Sequence, residues 1–297
     1  YWKEYPLIPD KPASKEFERT LKNAVNKVEA KFKINSENPE NIICGIGSYG
    51  LLLLYYADNG LSNQVINYSI NCYKYVNRSL KYLDKYPDFY FVSGLYNYYI
   101  EAYPQKHPIY KPVKLFFPSG DKEVGLKYLK IATRKAIFMK AEAYNFLSNI
   151  YLNFEFKYKE ALETLKELYL EFPDNDVFLF NYIKMLLINK DYKQALEYLE
   201  KLYKENFENK FFLGQYLLCK AILYEKYFKN YIEAENNYQQ SYSIFSSYGT
   251  FATELTAYSL YGLSRIAQKS LNNTKLSKVY RNNAEKLCKY KHINFDD

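Results

Sequence analysis

The chain has 297 residues, of which 48% are hydrophobic and 25% are charged. This balance excludes an intrinsically disordered chain and favours a folded, water-soluble protein. The longest apolar run, Ile42 to Ala57, is too short for a membrane-spanning helix and contains Ser48. The net charge is +8, and residues 106–140 alone hold nine basic and two acidic side chains, a net charge of +7.

The chain begins at Tyr1 and not at methionine. A removed signal peptide or lipoprotein leader would explain this start and would place the protein in a bacterial periplasm or on an envelope face. Trimming of a disordered terminus would explain it equally well, and the protein could then be cytoplasmic. The sequence does not decide between the periplasm or envelope and the cytoplasm.

Three prolines in residues 1–13 predict an extended arm at the start of the chain. After this arm, apolar residues recur at helical spacing, and Ser14 is a suitable N-cap for the first helix. Breaks at Asn38-Pro39 and at Asp58-Asn59-Gly60 separate the helices that follow. The pattern predicts helices from Ser14 to the Asn38-Pro39 break, over 42–58, from Ser62 to before Pro87, and over 88–103.

Residues 104–120 interrupt this pattern with four prolines, which predict a segment without helix. A connection of this length in a compact helical array is more often functional than idle. Its apolar side chains, among them Leu115, Phe116 and Phe117, predict that it folds back onto the neighbouring helices. The segment is therefore a candidate for contact with a partner.

From residue 121 onward, helical patterns alternate regularly with short polar breaks, and no segment has the period-two alternation of a strand. The sequence predicts an all-α protein. The predicted helices cover about 121–138, 140–155, 158–172, 176–189, 192–206, 210–228, 231–246, 250–269 and 275–290.

One stretch occurs twice, at residues 158–173 and 192–207. Ala161 corresponds to Ala195 and Leu168 to Leu202, with an offset of 34 residues at every pair. A fixed period of this kind indicates stacked helical hairpins, in which small residues let neighbouring helices approach. These positions are therefore predicted to be packing surface.

With this period the chain resembles the tetratricopeptide repeat family, most specifically over residues 141–207. One copy of the family pattern is carried by Tyr144, Leu147, Ser148, Tyr151, Ala161, Leu165, Leu168 and Pro173, and the next by Leu179, Tyr182, Leu186, Ala195, Leu199 and Leu202. The resemblance implies a right-handed α–α superhelix of about five or six hairpins, in one continuous solenoid. Within it, residues 1–40 would form an arm and capping helix, 41–138 divergent hairpins with the insertion at 104–120, and 139–297 the repeats.

The resemblance also implies a function, because the first helices of such hairpins line a concave groove that receives a peptide or a helix of a partner protein. The candidate groove residues are Asn145, Asn149, Phe180 and Lys184. The asparagines, one helical turn apart, could pair with a peptide backbone through donor and acceptor together. The alternative is that these residues are merely solvated. The implied protein is a non-catalytic interaction scaffold whose partner the sequence does not name.

The basic window at 106–140 supports a second hypothesis, that of binding to an anionic ligand, a nucleic acid or an acidic polysaccharide. The candidate residues are Lys106, Lys111, Lys114, Lys127 and Arg134. No recognised nucleic-acid-binding module accompanies them. The alternative is a solvated, lysine-rich helix face.

Motifs for catalysis are weak. Gly45, Gly47 and Gly50 match G-x-G-x-x-G, but neither the preceding strand nor the later acidic residue of a dinucleotide site is present, and close helix packing is the simpler interpretation. The two histidines, His107 and His292, have no metal-ligand spacing, and the four cysteines form no C-x-x-C pair. The sequence therefore predicts no cofactor, no metal and no enzyme activity.

The cysteines and most of the 36 tyrosines are predicted to pack in helix interfaces.

Overall fold

The computed structural model describes residues 11–203, 209–270 and 272–296, and throughout these residues the regular elements are helices. The all-α prediction is confirmed, whereas the arm predicted at residues 1–13 lies mostly outside the described residues. The α-helices are α1 (Lys11–Ile34), α2 (Pro39–Asp58), α3 (Ser62–Ser79), α4 (Phe89–Lys106), α5 (Lys111–Lys114), α6 (Lys122–Lys135), α7 (Lys140–Asn153), α8 (Tyr158–Glu171), α9 (Asp176–Ile188), α10 (Tyr192–Leu202), α11 (Lys210–Leu223), α12 (Tyr231–Ser246), α13 (Thr253–Lys269) and α14 (Thr274–Leu287).

Short polar side chains set seven of the fourteen described α-helix starts. The side chain of Asn38 accepts a hydrogen bond from the Glu40 amide at 2.8 Å, and that of Asp121 accepts from the Glu123 amide at 2.8 Å. Such caps satisfy amides that have no partner within the helix. The same arrangement starts the helices that follow Asn175, Asp191, Asn209, Asn230 and Asn273.

The prediction that residues 104–120 hold no helix is wrong. Helix α4 continues through Pro104 to Lys106, and short helical turns follow at Pro108–Tyr110 and in α5. Pro104 has no N–H to donate to the carbonyl of Ile100, so it costs α4 one hydrogen bond, and only two residues of the helix follow it.

The expectation that this segment folds back is confirmed in part. The Tyr96 hydroxyl donates to the carbonyl of Pro118 at 2.6 Å, and the Phe117 ring lies 5.8 Å from the ring of Tyr73. Leu115 and Phe116, however, remain 86% and 69% exposed. Only part of the apolar surface of the segment is therefore covered.

The described residues form two compact units, one that ends at Asn149 and one that begins at Ile150. In the first, the N-terminal unit, α2 packs on α1 and α3, and α4 packs on α6. Buried tyrosines fill these interfaces, among them Tyr56, Tyr75 and Tyr98. The carboxylate of Asp88 accepts hydrogen bonds from the amides of Phe138 and Met139 at 2.8 and 2.7 Å, so it ties the start of α4 to the start of α7.

In the C-terminal unit, α9 packs on α10, α11 on α12, and α13 on α14, as successive hairpins. The first helices of these hairpins also pack on one another, α9 on α11 and α11 on α13. The two copies of the repeated stretch lie in α8 and α10, and their alanines, Ala161 and Ala195, are both fully buried. The prediction that these positions are packing surface is confirmed.

The glycine motif lies inside α2 and not at a strand-to-helix turn. A Cβ atom on Gly45 would lie 2.2 Å from the ring of Tyr75, whereas one on Gly47 or Gly50 would meet no atom within 4 Å. Close packing therefore explains Gly45 alone.

The cysteines are all free thiols, and their predicted burial is only partly correct. Cys219 and Cys288 are buried, Cys72 is half-buried, and Cys44 is exposed on α2. Among the described helices, none is long and apolar enough to cross a membrane.

Candidate binding surfaces

The four residues predicted to contact a peptide differ in their surroundings. Asn145 and Asn149 are half-buried on α7 in the N-terminal unit, and within the described residues their side-chain amides form no hydrogen bond. Phe180 is 3% exposed, so in this conformation its ring packs in the core and offers no contact surface. Lys184 is half-buried on α9 in the C-terminal unit. The predicted peptide site stays a prediction. Of its four residues, Lys184 is the one that lies near a carboxylate and a thiol of two other helices.

Three successive first helices of the C-terminal unit contribute to one polar cluster around Lys184. The ammonium of Lys184 interacts electrostatically with the carboxylate of Glu254 on α13 and with Cys219 on α11. The Tyr258 hydroxyl donates to Glu254 Oε2 at 3.3 Å. We call Lys184, Cys219, Glu254 and Tyr258 the first-helix cluster.

The first-helix cluster has polar atoms that its own side chains do not satisfy. Glu254 Oε1 is buried and has no hydrogen-bond partner among the described residues. Burial lowers the pKa of Lys184, and the charge of Glu254 offsets part of this lowering. A buried acceptor without a donor is uncommon in folded proteins and suggests a site where another group supplies the hydrogen bond.

The thiol in the cluster is buried, since Cys219 is 1% exposed. Burial raises the pKa of Cys219 to about 12. Because the thiolate is the reactive form of cysteine, the side chain remains an unreactive thiol near neutral pH. The groups that the cluster offers are therefore a hydrogen-bonded carboxylate and a nearby ammonium.

Beneath the end of α11 lies a buried ion pair that sequence reasoning did not find. Residues Tyr224–Phe228 form a π-helical turn, and this turn directs Glu225 inward. Arg265 of α13 donates to both carboxylate oxygens of Glu225 at 2.7 Å, and the Tyr238 hydroxyl donates to Glu225 at 2.8 Å. A two-point guanidinium–carboxylate contact is both strong and directional. The pair fixes α11, α12 and α13 relative to one another.

The five candidate anion-binding residues are only partly brought together. Lys127 and Arg134 lie on α6 and line a groove of about 510 Å³ with Lys130 and Lys135. Lys114 instead forms a salt bridge with Glu101 at 2.5 Å, so its charge is already paired. The other two candidates lie outside α6, Lys106 at the end of α4 and Lys111 exposed at the start of α5.

A second cavity, of about 410 Å³, lies between α10 and α11 and was not predicted. Four aromatic rings contribute to its wall, those of Tyr203, Tyr216, Tyr224 and Phe228. In the repeated stretch, Tyr203 is the counterpart of Tyr169. Tyr169 stacks on Tyr182 at 5.9 Å, whereas Tyr203 is 53% exposed. Sequence equivalence therefore did not reveal that the second copy opens a groove.

Compared with models of known protein families and with curated proteins, the chain matches none. The assignment of a function to these surfaces therefore rests on their geometry and chemistry.

Proposed function

We propose that this protein is a non-catalytic scaffold for protein–protein interaction. In this proposal its hairpins form a right-handed, tetratricopeptide-like superhelix, and the surface of the first helices binds a peptide or a helix of a partner protein. The order of helix packing in the C-terminal unit supports this, since each first helix contacts its own second helix and the neighbouring first helices.

The observation that carries the proposal is the first-helix cluster. Lys184, Cys219 and Glu254 come from α9, α11 and α13, so polar groups of three consecutive hairpins lie near one another, with Cys219 buried and Lys184 and Glu254 half-buried. It presents a cationic donor and a buried carboxylate oxygen without a partner. A peptide backbone offers an acceptor and a donor at every residue, which is the complement of such a surface.

The proposal can be tested with linear peptides selected from a random phage-displayed library against the wild-type chain. If the cluster binds them, Lys184→Met and Glu254→Gln should each weaken a selected peptide about tenfold, which corresponds to ~1.4 kcal/mol. Lys193→Met, at an exposed lysine of α10, is the matched control and should leave the affinity unchanged. Peptides that bind all three variants equally, or a selection without any recurring sequence, would remove the proposed site.

The groove along α6 favours a second candidate function, the binding of an anionic polymer. Lys127, Lys130 and Arg134 are spaced three and four residues apart, so they project from one face over about 10 Å of helix. The lining of the groove contains four basic residues and one acidic residue, Glu123. A polyanion would gain affinity from the release of its counterions.

A further inference from the structure

The last described segment of the chain, Lys289–Asp296, follows α14 without helical structure and contacts α7, the π-helical turn, α13 and α14. We call it the C-terminal tail. His292 Nε2 lies 3.2 Å from the carbonyl of Leu152 in α7, and its ring lies 5.0 Å from that of Phe156. The contact joins residues that are 140 positions apart. The tail therefore reaches from the last hairpin back to the start of the C-terminal unit.

The same segment borders the first-helix cluster. The Phe295 ring lies edge-on to the ring of Tyr258 at 5.6 Å. Burial, together with the charge of Glu254, raises the pKa of Tyr258 well above its ordinary value. The tail thus occupies part of the surface that the proposed function assigns to a partner.

Positive charges hold the end of the tail. Arg281 donates to Asp296 Oδ2 at 2.7 Å, and Arg265 lies 3.5 Å from Oδ1. The Lys226 ammonium donates to the backbone carbonyl of Asp296 at 3.0 Å, and Arg265 donates to that of Asn294 at 2.5 Å. Two guanidinium groups and one ammonium group therefore converge on one carboxylate-bearing residue, which is a recognition site for an acidic residue.

Arg265 does not depend on the tail for its charge balance, because its two-point contact with Glu225 remains when Asp296 is removed. Arg281 likewise has a second carboxylate, that of Glu285, at 3.4 Å. The surface can therefore exchange one acidic ligand for another without leaving a buried charge uncompensated.

We propose that the C-terminal tail is an internal ligand of the first-helix surface, and that the partner is a peptide in which an aromatic residue precedes an acidic one. This inference rests on the proposed function and adds to it the chemistry of the partner and the competition with the tail. A partner peptide displaces the tail by presenting its own ring to Tyr258 and its own carboxylate to Arg281 and Arg265. Because a tethered segment acts at a high effective concentration, the tail weakens the binding of every competing peptide.

The test uses the full chain and a fluorescent synthetic peptide with the sequence of residues 289–297. Asp296→Lys loosens the tail and leaves the surface intact, so it should raise the affinity for the peptide at least about tenfold over the wild-type chain, as measured by fluorescence anisotropy. Lys291→Glu reverses a charge at an exposed tail position and should leave the affinity at the wild-type value. A peptide carrying Lys in place of Asp296 should not bind. Equal affinity of the peptide for the wild-type and Asp296→Lys chains would overturn the proposal.

A second measurement covers the case in which Asp296→Lys does not fold, as judged by circular dichroism. The amide of Ile293 donates to the carbonyl of Tyr290 at 3.0 Å, and Ile293 is 4% exposed. In the wild-type chain, hydrogen exchange of this amide should be at least about tenfold faster than that of Ile266 in α13, because a displaceable tail opens without the core. Exchange as slow as that of Ile266 would show that the tail is a fixed part of the fold.

Peptides selected from the phage library separate this inference from the proposed function. If they bind through Lys184 and gain affinity in Asp296→Lys, both stand. If they bind through Lys184 with unchanged affinity in Asp296→Lys, the tail does not compete and only the further inference fails. If no linear peptide binds either chain, the proposed function fails as well.

Discussion

At the scale of single residues, the C-terminal unit depends most on the buried pair of Glu225 and Arg265. The side chains are 1% and 6% exposed, so neither charge can be solvated if the other is removed. Breaking a buried pair from one side typically costs several kcal/mol, whereas exposed pairs contribute little.

Arg265→Gln is therefore expected to lower the free energy of unfolding by about 3–5 kcal/mol, because it leaves the carboxylate of Glu225 buried without its partner. Urea denaturation followed by circular dichroism would measure the change. Arg281→Gln is the matched control, since the Arg281 side chain is 40% exposed, and it should cost no more than about 1 kcal/mol. Equal losses for the two variants would contradict the role assigned to the buried pair.

The same pair predicts a dependence of stability on pH. Burial by itself would raise the pKa of Glu225, but the hydrogen bonds and charge of Arg265 outweigh it and lower the pKa below the ordinary value of 4.5. A carboxyl group with a lowered pKa in the folded state contributes stability that is present above the unfolded pKa and is lost as the pH falls through the folded pKa. The free energy of unfolding should therefore fall below about pH 4.5 and remain steady above it as far as this group is concerned.

The check on this pH dependence is the double variant Glu225→Gln/Arg265→Gln. Its free energy of unfolding should depend less on pH between about 5 and 3 than that of the wild-type chain, because the group that titrates is gone. An unchanged slope would assign the acid sensitivity to other carboxylates.

Sequence reasoning identified one member of the first-helix cluster, Lys184, because the repeat pattern marks positions on first helices. It did not identify Glu254 or Arg265. Arg265 meets Glu225 across 40 positions of the chain, and Glu254 influences Lys184 from a helix two hairpins away, so no local pattern encodes either relation. The buried position of Phe180 was missed for a similar reason, since the pattern locates a helix face but does not tell what covers it.

At the scale of single helices, α2 contains a matched pair of glycines two positions apart. A Cβ on Gly45 would lie 2.2 Å from the Tyr75 ring, and one on Gly47 would meet nothing within 4 Å. Both glycines lie in the same helix, but only Gly45 faces another side chain, the ring of Tyr75. Alanine substitutions at the two positions therefore separate packing from helix propensity.

Gly45→Ala is expected to lower the free energy of unfolding by about 1–3 kcal/mol, because Tyr75 must move from a fully packed interface. Gly47→Ala should raise it by up to about 1 kcal/mol, since alanine loses less conformational freedom than glycine within a helix. Thermal denaturation of both variants gives the comparison. Stabilisation by Gly45→Ala would mean that the α2–α3 interface has room for a methyl group.

Helix positions were predictable because the polar caps and the helical spacing of apolar residues are local signals. The prediction for α12 matches the structure at both ends, Tyr231 and Ser246. The prediction for α4 ended too early, because Pro104 was taken to exclude helix, although a single proline removes one hydrogen bond and α4 continues for two residues beyond it. The π-helical turn at Tyr224–Phe228 has no such local signature, and residues 210–228 were predicted as one helix.

At the scale of the whole molecule, charge is concentrated: the window 106–140 carries +7 of the net +8. The structure refines this distribution, because Lys114 is paired with Glu101 while Lys127 and Arg134 line the groove of α6.

No signal in the sequence indicated the division into two units. The boundary between Asn149 and Ile150 falls within α7, where no helix break marks it.

Lys127→Glu/Arg134→Glu should elute from a heparin column at a clearly lower salt concentration than the wild-type chain, because both side chains line the basic groove. The control, Lys193→Glu/Lys275→Glu, changes the net charge by the same amount at exposed positions of the other unit. Equal shifts for the two double variants would indicate a response to net charge alone and would remove the second candidate function.

Two carboxylates hold the ends of the α4–α6 hairpin independently of its connection. Asp88 binds the amides that follow α6, and Glu101 accepts from the amide of Gly120, just before α6, at 3.1 Å. Because the hairpin is fixed at both ends, added length in the stretch between them costs free energy that grows only with the logarithm of loop size. Within residues 107–117, descendants of this chain can therefore gain segments, and so acquire new surface, wherever the Lys114–Glu101 salt bridge and the contact of Phe117 with Tyr73 are kept.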